Sequence, residues 1–219
     1  MNNVFNIDLL HALGDTLLMV IISTLIAYVF GLVLAILLII TKKDGLKPNI
    51  MIHKITGFIV NLGRSIPFII LLVALIPFTR FILGTSIGVK GMIIPLSIGA
   101  IPYVARVIES AFLEVDEGII NVLKGLGANT LYIIKEAYIK ESLPQLIRGI
   151  GLTSIMLIGY SAMSGAVGGG GLGGLAITYG YYRFDMQTML MILVLIIILV
   201  QLFQFIFDYT SKIIDKRRP

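Results

Sequence analysis

The chain contains no cysteine, which excludes a disulfide framework and thiol-based catalysis. Charge is almost as scarce: 13% of the 219 residues are Asp, Glu, Lys or Arg, against ~25% in an average soluble domain. With 58% hydrophobic residues and a mean hydropathy of +1.01, a soluble fold of this size has too little polar surface to cover itself. The composition specifies an all-α integral membrane protein. Histidine occurs only as His11 and His53, which flank different ends of the first apolar run, so neither a metal pair nor a catalytic dyad is expected. No G-x-x-x-x-G-K-[ST] loop is present, so the chain has no motif of its own for cradling ATP. Gly168 to Gly173 satisfies G-x-G-x-x-G literally, but a membrane helix rather than a strand precedes it. It is read instead as a glycine-rich extracellular turn, in which Gly165/Gly169 and Gly170/Gly174 allow close backbone packing. The formal charge of +5 does not imply a nucleic-acid partner, because in a membrane chain the placement of Lys and Arg matters more than their sum.

What is present is long hydrophobic runs. A helix needs about 20 apolar residues to cross the hydrocarbon core. Leu17 to Ile40 carries no charge and is too long for the apolar part of a cleaved signal peptide. Four more spans are expected at about 58–83, 91–112, 149–167 and 186–207, giving a single five-span transmembrane domain over 1–219. In the second, a continuous helix would separate Arg64 from Arg80 by ~24 Å, so that each snorkels to an opposite interface. The third contains Pro95 and Pro102 and is expected to bend. Lysines 42, 43, 47 and 54 fill the first loop, and Lys124, Lys135, Lys140 and Arg148 lie in or just after the stretch 116–143. The tail holds Lys212, Lys216, Arg217 and Arg218. The positive-inside rule therefore predicts an external N-terminus, with the first loop, residues 116–143 and the C-terminus in the cytoplasm.

Few polar groups sit at membrane depth. Arg106 and Glu109 share a helical face and form a possible ion pair near an interface. Gln201 and Gln204 are expected to bridge helices. No set of Asp, Glu or His suited to a proton relay lies in the spans, and no nucleophile–base or metal set suggests an intramembrane enzyme.

Residues 116–143, DEGIINVLKGLGANTLYIIKEAYIKESL, differ from their surroundings. Asp116 and Glu117 suit a helix N-terminus, and Ile119, Ile120, Val122, Leu123 and Leu126 give an apolar face at helical spacing. Gly125 and Gly127 stop the helix, and Asn129 or Thr130 caps a second one with Leu131, Ile134, Ala137 and Tyr138 on one face. Such a capped hairpin is longer than a mere connection between spans requires. It suits either the bilayer surface or a cytoplasmic partner.

The hairpin resembles the loop between the third and fourth spans of binding-protein-dependent ABC importer permeases, whose signature is E-A-A, three residues, G, nine residues, I-x-L-P. Aligned on Gly127, the E-A-A positions are Asn121-Val122-Leu123 and the closing positions are Ala137-Tyr138-Ile139-Lys140. The segments 64-RSIPFIILLVALIPFTR-80, 159-GYSAMSGAVGGGGLGGLAITYGY-181 and 199-LVQLFQFIFD-208 are similar to the permeases of methionine ABC importers. The resemblance implies a type I importer fold in the bacterial cytoplasmic (inner) membrane, working as a homodimer. Its implied partners are two cytoplasmic ATPases and an extracytoplasmic methionine-binding lipoprotein. ATP and Mg would belong to the ATPase, and this chain would bind no cofactor.

By the same resemblance, Asn121, Leu123, Lys124, Gly125, Leu126 and Gly127 form the coupling contact to the ATPase. Tyr160, Ser161, Met163 and Ser164 are candidates for the translocation path or gate, although Ser161 and Ser164 serve equally well as helix-packing residues. Tyr179, Tyr181 and Tyr182 are candidates for the lipoprotein contact or for an interfacial aromatic belt. The alternatives are a permease for another amino acid or small solute, and a membrane scaffold or channel acting without an ATPase.

Overall fold

The computed structural model describes residues 2–215, with side chains from Asp8 onward. Lys216, Arg217 and Arg218 of the basic tail lie outside the described residues. The described chain is helical, with no β-strand among the described residues. The helices are α1 (Asn2–Thr41), α2 (Ile50–Ser65), α3 (Phe68–Ala74), α4 (Ile76–Leu83) and α5 (Gly88–Leu113), followed by α6 (Glu117–Gly125) and α7 (Thr130–Ile133). A π-helical stretch, Ile134–Ile139, continues α7. Then come α8 (Leu143–Ser164), a 3-10 turn at Gly165–Val167, and α9 (Gly171–Leu175), which a second π-helical stretch, Ala176–Tyr181, extends. The last helix is α10 (Met186–Ile214).

Among the described residues, four helices are long and apolar enough to cross a membrane: Asp8–Thr41, Gly88–Leu113, Leu143–Val167 and Met186–Ile214. They correspond to the expected first, third, fourth and fifth spans. The expected third span runs as one helix through Pro95 and Pro102.

The second span differs from expectation. Instead of one helix over 58–83, the chain forms α2, breaks sharply at Ile66–Pro67, and resumes as α3 and α4. Proline has no N–H for the helical ladder and disfavours the α conformation in the residue before it. Pro67 accordingly sits at the start of α3 with ψ 129, outside the helical region. Pro77 opens α4, and Gly84 ends it in the left-handed conformation (φ 73). Arg64 and Arg80 thus belong to separate helices, and their separation along one straight span does not apply.

The contacts group into two compact units. The first is built from α1 up to Ala27, Ile66–Ala100 and Leu152–Gln204. There Ala12, Leu172 and Ile192 form a buried cluster, and the Ser23 hydroxyl donates to the Ile93 carbonyl at 3.4 Å. The Thr24 and Ser154 hydroxyls meet at 3.5 Å. The second is built from Tyr28–Ser65, Ile101–Gly151 and the described residues from Phe205 to Asp215. Its cluster is Leu38, Val60 and Ala105. Small residues let its helices approach closely: a Cβ on Gly31 would stand 2.6 Å from Val104, and one on Gly151 would stand 2.7 Å from Phe207. In a bilayer such contacts replace the hydrophobic drive, since lipid tails are as apolar as leucine.

Candidate functional site: the coupling hairpin, the path residues and the glycine segment

The hairpin forms as its residue types dictate. The Asp116 carboxylate accepts from the Gly118 amide at 2.7 Å and caps α6, while the Asn129 side-chain oxygen accepts from the Tyr132 amide at 2.8 Å and caps α7. Between them Gly127 takes φ 76, its amide donating to the Lys124 carbonyl, while the Ala128 amide donates to that of Leu123. This left-handed exit lets the chain reverse, and only glycine adopts it without penalty.

Of the expected apolar face of α6, only Ile120 is buried and Leu123 is half-buried. Ile119, Val122 and Leu126 are exposed on the other side, as are Asn121, Lys124 and Gly125. In the second arm Ile133, Ile134, Ala137 and Tyr138 are buried, whereas Leu131 is exposed and does not share their face. Tyr138 packs against Phe112 of α5 with ring centroids 5.5 Å apart. Burial, and secondarily the negative charge of Glu117, push its phenol pKa up. The Lys140 ammonium pairs with Glu136 one turn back, and that hydrogen bond and charge raise the lysine's pKa. The Ser142 hydroxyl then bonds the Tyr138 carbonyl at 2.5 Å, tying the hairpin to the start of α8.

The expected ion pair is present. Arg106 meets Glu109 at 2.5 Å, and its second guanidinium nitrogen donates to the Asn61 side-chain oxygen of α2 at 2.8 Å. Glu109 is buried, so the pair is a clasp between α5 and α2 rather than a loose surface contact. Local spacing could not show Asn61, which lies 45 positions away.

The four path candidates separate into two pairs. Ser161 and Ser164 are buried and donate to carbonyls of their own helix, Ile158 and Ser161, at 2.8 and 2.7 Å. Met163 is exposed. Tyr160 is half-buried and lies stacked on Phe68 of α3, with centroids 4.0 Å apart and planes 6° apart. Leu152, Gly159 and Met163 fall on one exposed face of α8, and a Cβ on Gly159 would meet nothing within 4 Å. Gln201 and Gln204, expected to bridge helices, are exposed on α10 in this chain.

The glycine segment turns the chain at Gly168 (φ 81) and Gly170 (φ 77), and the turn is packed rather than open. Gly171, Leu172 and Gly173 are buried in α9, and the Leu172 amide donates to the Thr16 hydroxyl of α1 at 2.9 Å. A Cβ on Gly165 would stand 2.3 Å from the Gly173 backbone, and one on Gly173 would stand 2.4 Å from the Ala162 carbonyl. Close packing thus pairs Gly165 with Gly173, while Gly174 faces open space. Glycine made the segment look like a loop for the same reason that it packs so tightly: it has no side chain. Beside it lies a cleft of about 380 Å³ lined by Asp8, His11 and Asp15 of α1 and by Gly168, Gly170 and Thr178. The spacing of 8, 11 and 15 along one helix face was the sequence signal for this cleft. Beyond it Tyr181 and Tyr182 are exposed, and Arg183 stacks 4.5 Å above the half-buried Tyr179 ring. The Asp185 carboxylate accepts from the Thr188 hydroxyl and amide at the start of α10, which holds its pKa below the usual aspartate range.

A helical domain with a capped hairpin between two of its long apolar helices, α5 and α8, defines a class, and comparison bears this out. The chain belongs to the family of binding-protein-dependent transport system inner membrane components, whose model matches residues 27–218. It is 45% identical over 209 residues to a probable D-methionine transport system permease of Vibrio cholerae, covering 95% of this chain and 93% of the relative. It is 43% identical over 181 residues to the methionine import system permease of Bacillus subtilis, covering 83% and 82%. Among solved structures, it superposes with a TM-score of 0.97 and 41% identity on a chain described under inward facing conformations of the MetNI methionine ABC transporter, covering 99% of this chain and 100% of that one. A chain of an amino acid ABC transporter shares the fold at a TM-score of 0.77 and 17% identity. The chain is a multi-pass membrane component of a transport system.

Proposed function

We propose that this chain is the permease subunit of an ATP-driven importer and that the solute it passes is methionine, in the L or D form. The observation that carries the cargo assignment is the likeness to the methionine transporter chain across 99% of this sequence, which leaves neither hairpin nor path residues outside it. In this reading two copies enclose the path, two cytoplasmic ATPase subunits grip the two hairpins, and an extracytoplasmic methionine-binding lipoprotein delivers the solute. The N-terminus is outside and the hairpin and C-terminus are in the cytoplasm of a bacterial inner membrane. ATP and Mg bind to the ATPase, and this chain contributes no cofactor site.

The geometry supports a mechanical role for the hairpin. Phe112–Tyr138 packing ties it to α5, and the Ser142 bond ties it to α8. From Leu143, α8 continues as one helix to Ser164, so a displacement at its base is carried ~30 Å along a stiff rod. That rod presents Tyr160 and Met163 as gate residues. Methionine's unbranched, polarisable side chain suits a seal that opens and re-forms. Ser161 and Ser164 hold the helix in its pack. Alternating access follows when ATPase closure moves both hairpins and the two α8 rods exchange an outward for an inward opening. Reconstitution with the ATPase and binding protein in proteoliposomes tests this: methionine should stimulate ATP hydrolysis and accumulate only with ATP present. Methionine movement independent of ATP would refute the permease reading in favour of a channel.

A further inference from the structure

Resting on the importer reading, we propose that Thr16 of α1 is a positioning residue for the gate. Its hydroxyl caps α9 from across the fold and so braces the end of α8 that carries Tyr160 and Met163. All the residues involved belong to the first compact unit. The need for a cap begins in the sequence. α9 opens at Gly171, and a helix leaves the amides of its first turn without partners inside the helix. A Ser, Thr, Asn or Asp just before the helix normally accepts from one of them. Thus α6, α7 and α10 are capped by their own Asp116, Asn129 and Asp185. α9 is preceded instead by Gly170, which has no side chain to offer and holds φ 77, ψ −155, a conformation essentially reserved for glycine. Its acceptor comes from 156 positions away: the Thr16 hydroxyl oxygen accepts from the Leu172 amide at 2.9 Å. Thr16 is 2% exposed and Leu172 is 1% exposed, so no water replaces a lost acceptor.

The contact is close because Gly171 lacks a side chain: a Cβ there would stand 2.6 Å from the Thr16 hydroxyl oxygen and 2.9 Å from Met19. On its other side α9 meets α8 backbone to backbone. Gly173 abuts the main chain of Ala162 and Gly165 abuts Gly173, so α9 is wedged between α1 and the end of α8. Ala162 adjoins Met163, and α8 stops at Ser164, whose carbonyl accepts from the Gly169 amide at 2.9 Å. The last turn of α8 has no further helix of its own to stiffen it, and α9 is what it leans on. Without the Thr16 acceptor the Leu172 amide is buried and unpaired, a cost that α9 relieves by shifting toward a new partner. That shift withdraws Gly173 from Ala162 and releases Met163 and Tyr160 from their register. Thr16 therefore acts on the gate through α9.

The test uses the full complex of permease, ATPase and binding protein in proteoliposomes preloaded with labelled methionine, and reads efflux per assembled complex without ATP. Thr16→Val keeps the shape of the side chain and removes the acceptor, whereas Thr16→Ser keeps the acceptor. Efflux should rise at least about fivefold in Thr16→Val, the factor set by the lower cost of an unpaired buried amide, and stay at the unaltered level in Thr16→Ser. Ser23→Ala removes another buried α1 hydroxyl, one bonded to the Ile93 carbonyl rather than to α9, and should not raise efflux. A purely structural role for Thr16 would lower the Tm or the yield of Thr16→Val and leave efflux per complex unchanged, and that result overturns the proposal. A leak in Thr16→Ser equal to that in Thr16→Val overturns it as well. Should Thr16→Val fail to assemble, Thr16→Ala takes its place; failure of both makes Thr16 a folding residue and ends the positioning role. If the unaltered complex leaks methionine freely, or accumulates none with ATP, the importer reading itself fails. A tight, ATP-driven unaltered complex beside an equally tight Thr16→Val complex defeats this inference alone.

Discussion

Tyr160 lies flat on Phe68, with ring centroids 4.0 Å apart and planes only 6° apart. The stack fixes the side chain near the C-terminal end of α8 against α3, directly after the Pro67 break that separates α2 from α3. Aromatic pairs of this kind contribute about 0.5–1.5 kcal/mol beyond their buried area. Phe68→Ala and Tyr160→Ala should therefore be non-additive in thermal unfolding, with a coupling of about 1 kcal/mol. Each alone should reduce methionine uptake, because the path side chain loses its support. Additive effects would separate the two residues.

Glu109→Gln should destabilise the chain by on the order of 1–2 kcal/mol, a value reduced from that of a fully buried pair because Arg106 is part exposed. The loss arises mainly from leaving the guanidinium with only Asn61. A second change, Arg106→Gln, should recover part of it, since the uncompensated charge is then gone. Unfolding midpoints in detergent for the two single variants and the double variant measure this.

Gly127→Val should insert normally yet transport poorly. A β-branched residue at φ 76 costs about 1–3 kcal/mol and moves the turn that sets α7 against α6. Gly14→Ala in α1 is the control: its added Cβ meets open space and its backbone φ is not positive, so uptake should be retained. Equal uptake by both variants would remove the turn from the coupling mechanism.

The absence of cysteine makes topology directly measurable, because a single introduced thiol is the only one. His11→Cys should react with an impermeant reagent in intact cells, and Leu126→Cys should react only after lysis; both side chains are exposed. The reverse pattern would invert the orientation drawn from the lysine-rich loops.

Four helices long enough to cross a membrane were legible because a long charge-free run has few other uses in a chain of this composition. The break in the expected second span was not, because hydropathy averaged over a window is blind to Pro67, which breaks the backbone without changing the oiliness. The hairpin caps were legible in Asp116 and Asn129, whose short polar side chains have few competitors for a helix N-terminus. Which face of α6 is covered was not, since Ile119 and Ile120 are chemically alike and only the packing of Ile120 distinguishes them. The turn at Gly168–Gly170 and the close packing of the glycine segment were legible, but that Gly165 meets Gly173 rather than Gly169 was not, because that contact exists only in the tertiary fold.

The most direct test of the account is uptake of labelled methionine by cells that lack other methionine importers and carry the full set of permease, ATPase and binding protein, compared with the same cells lacking this chain. Energy-dependent accumulation that disappears with the chain, and is competed by excess unlabelled methionine, is the predicted result. Equal accumulation without the chain, or accumulation that another amino acid competes and methionine does not, would contradict it.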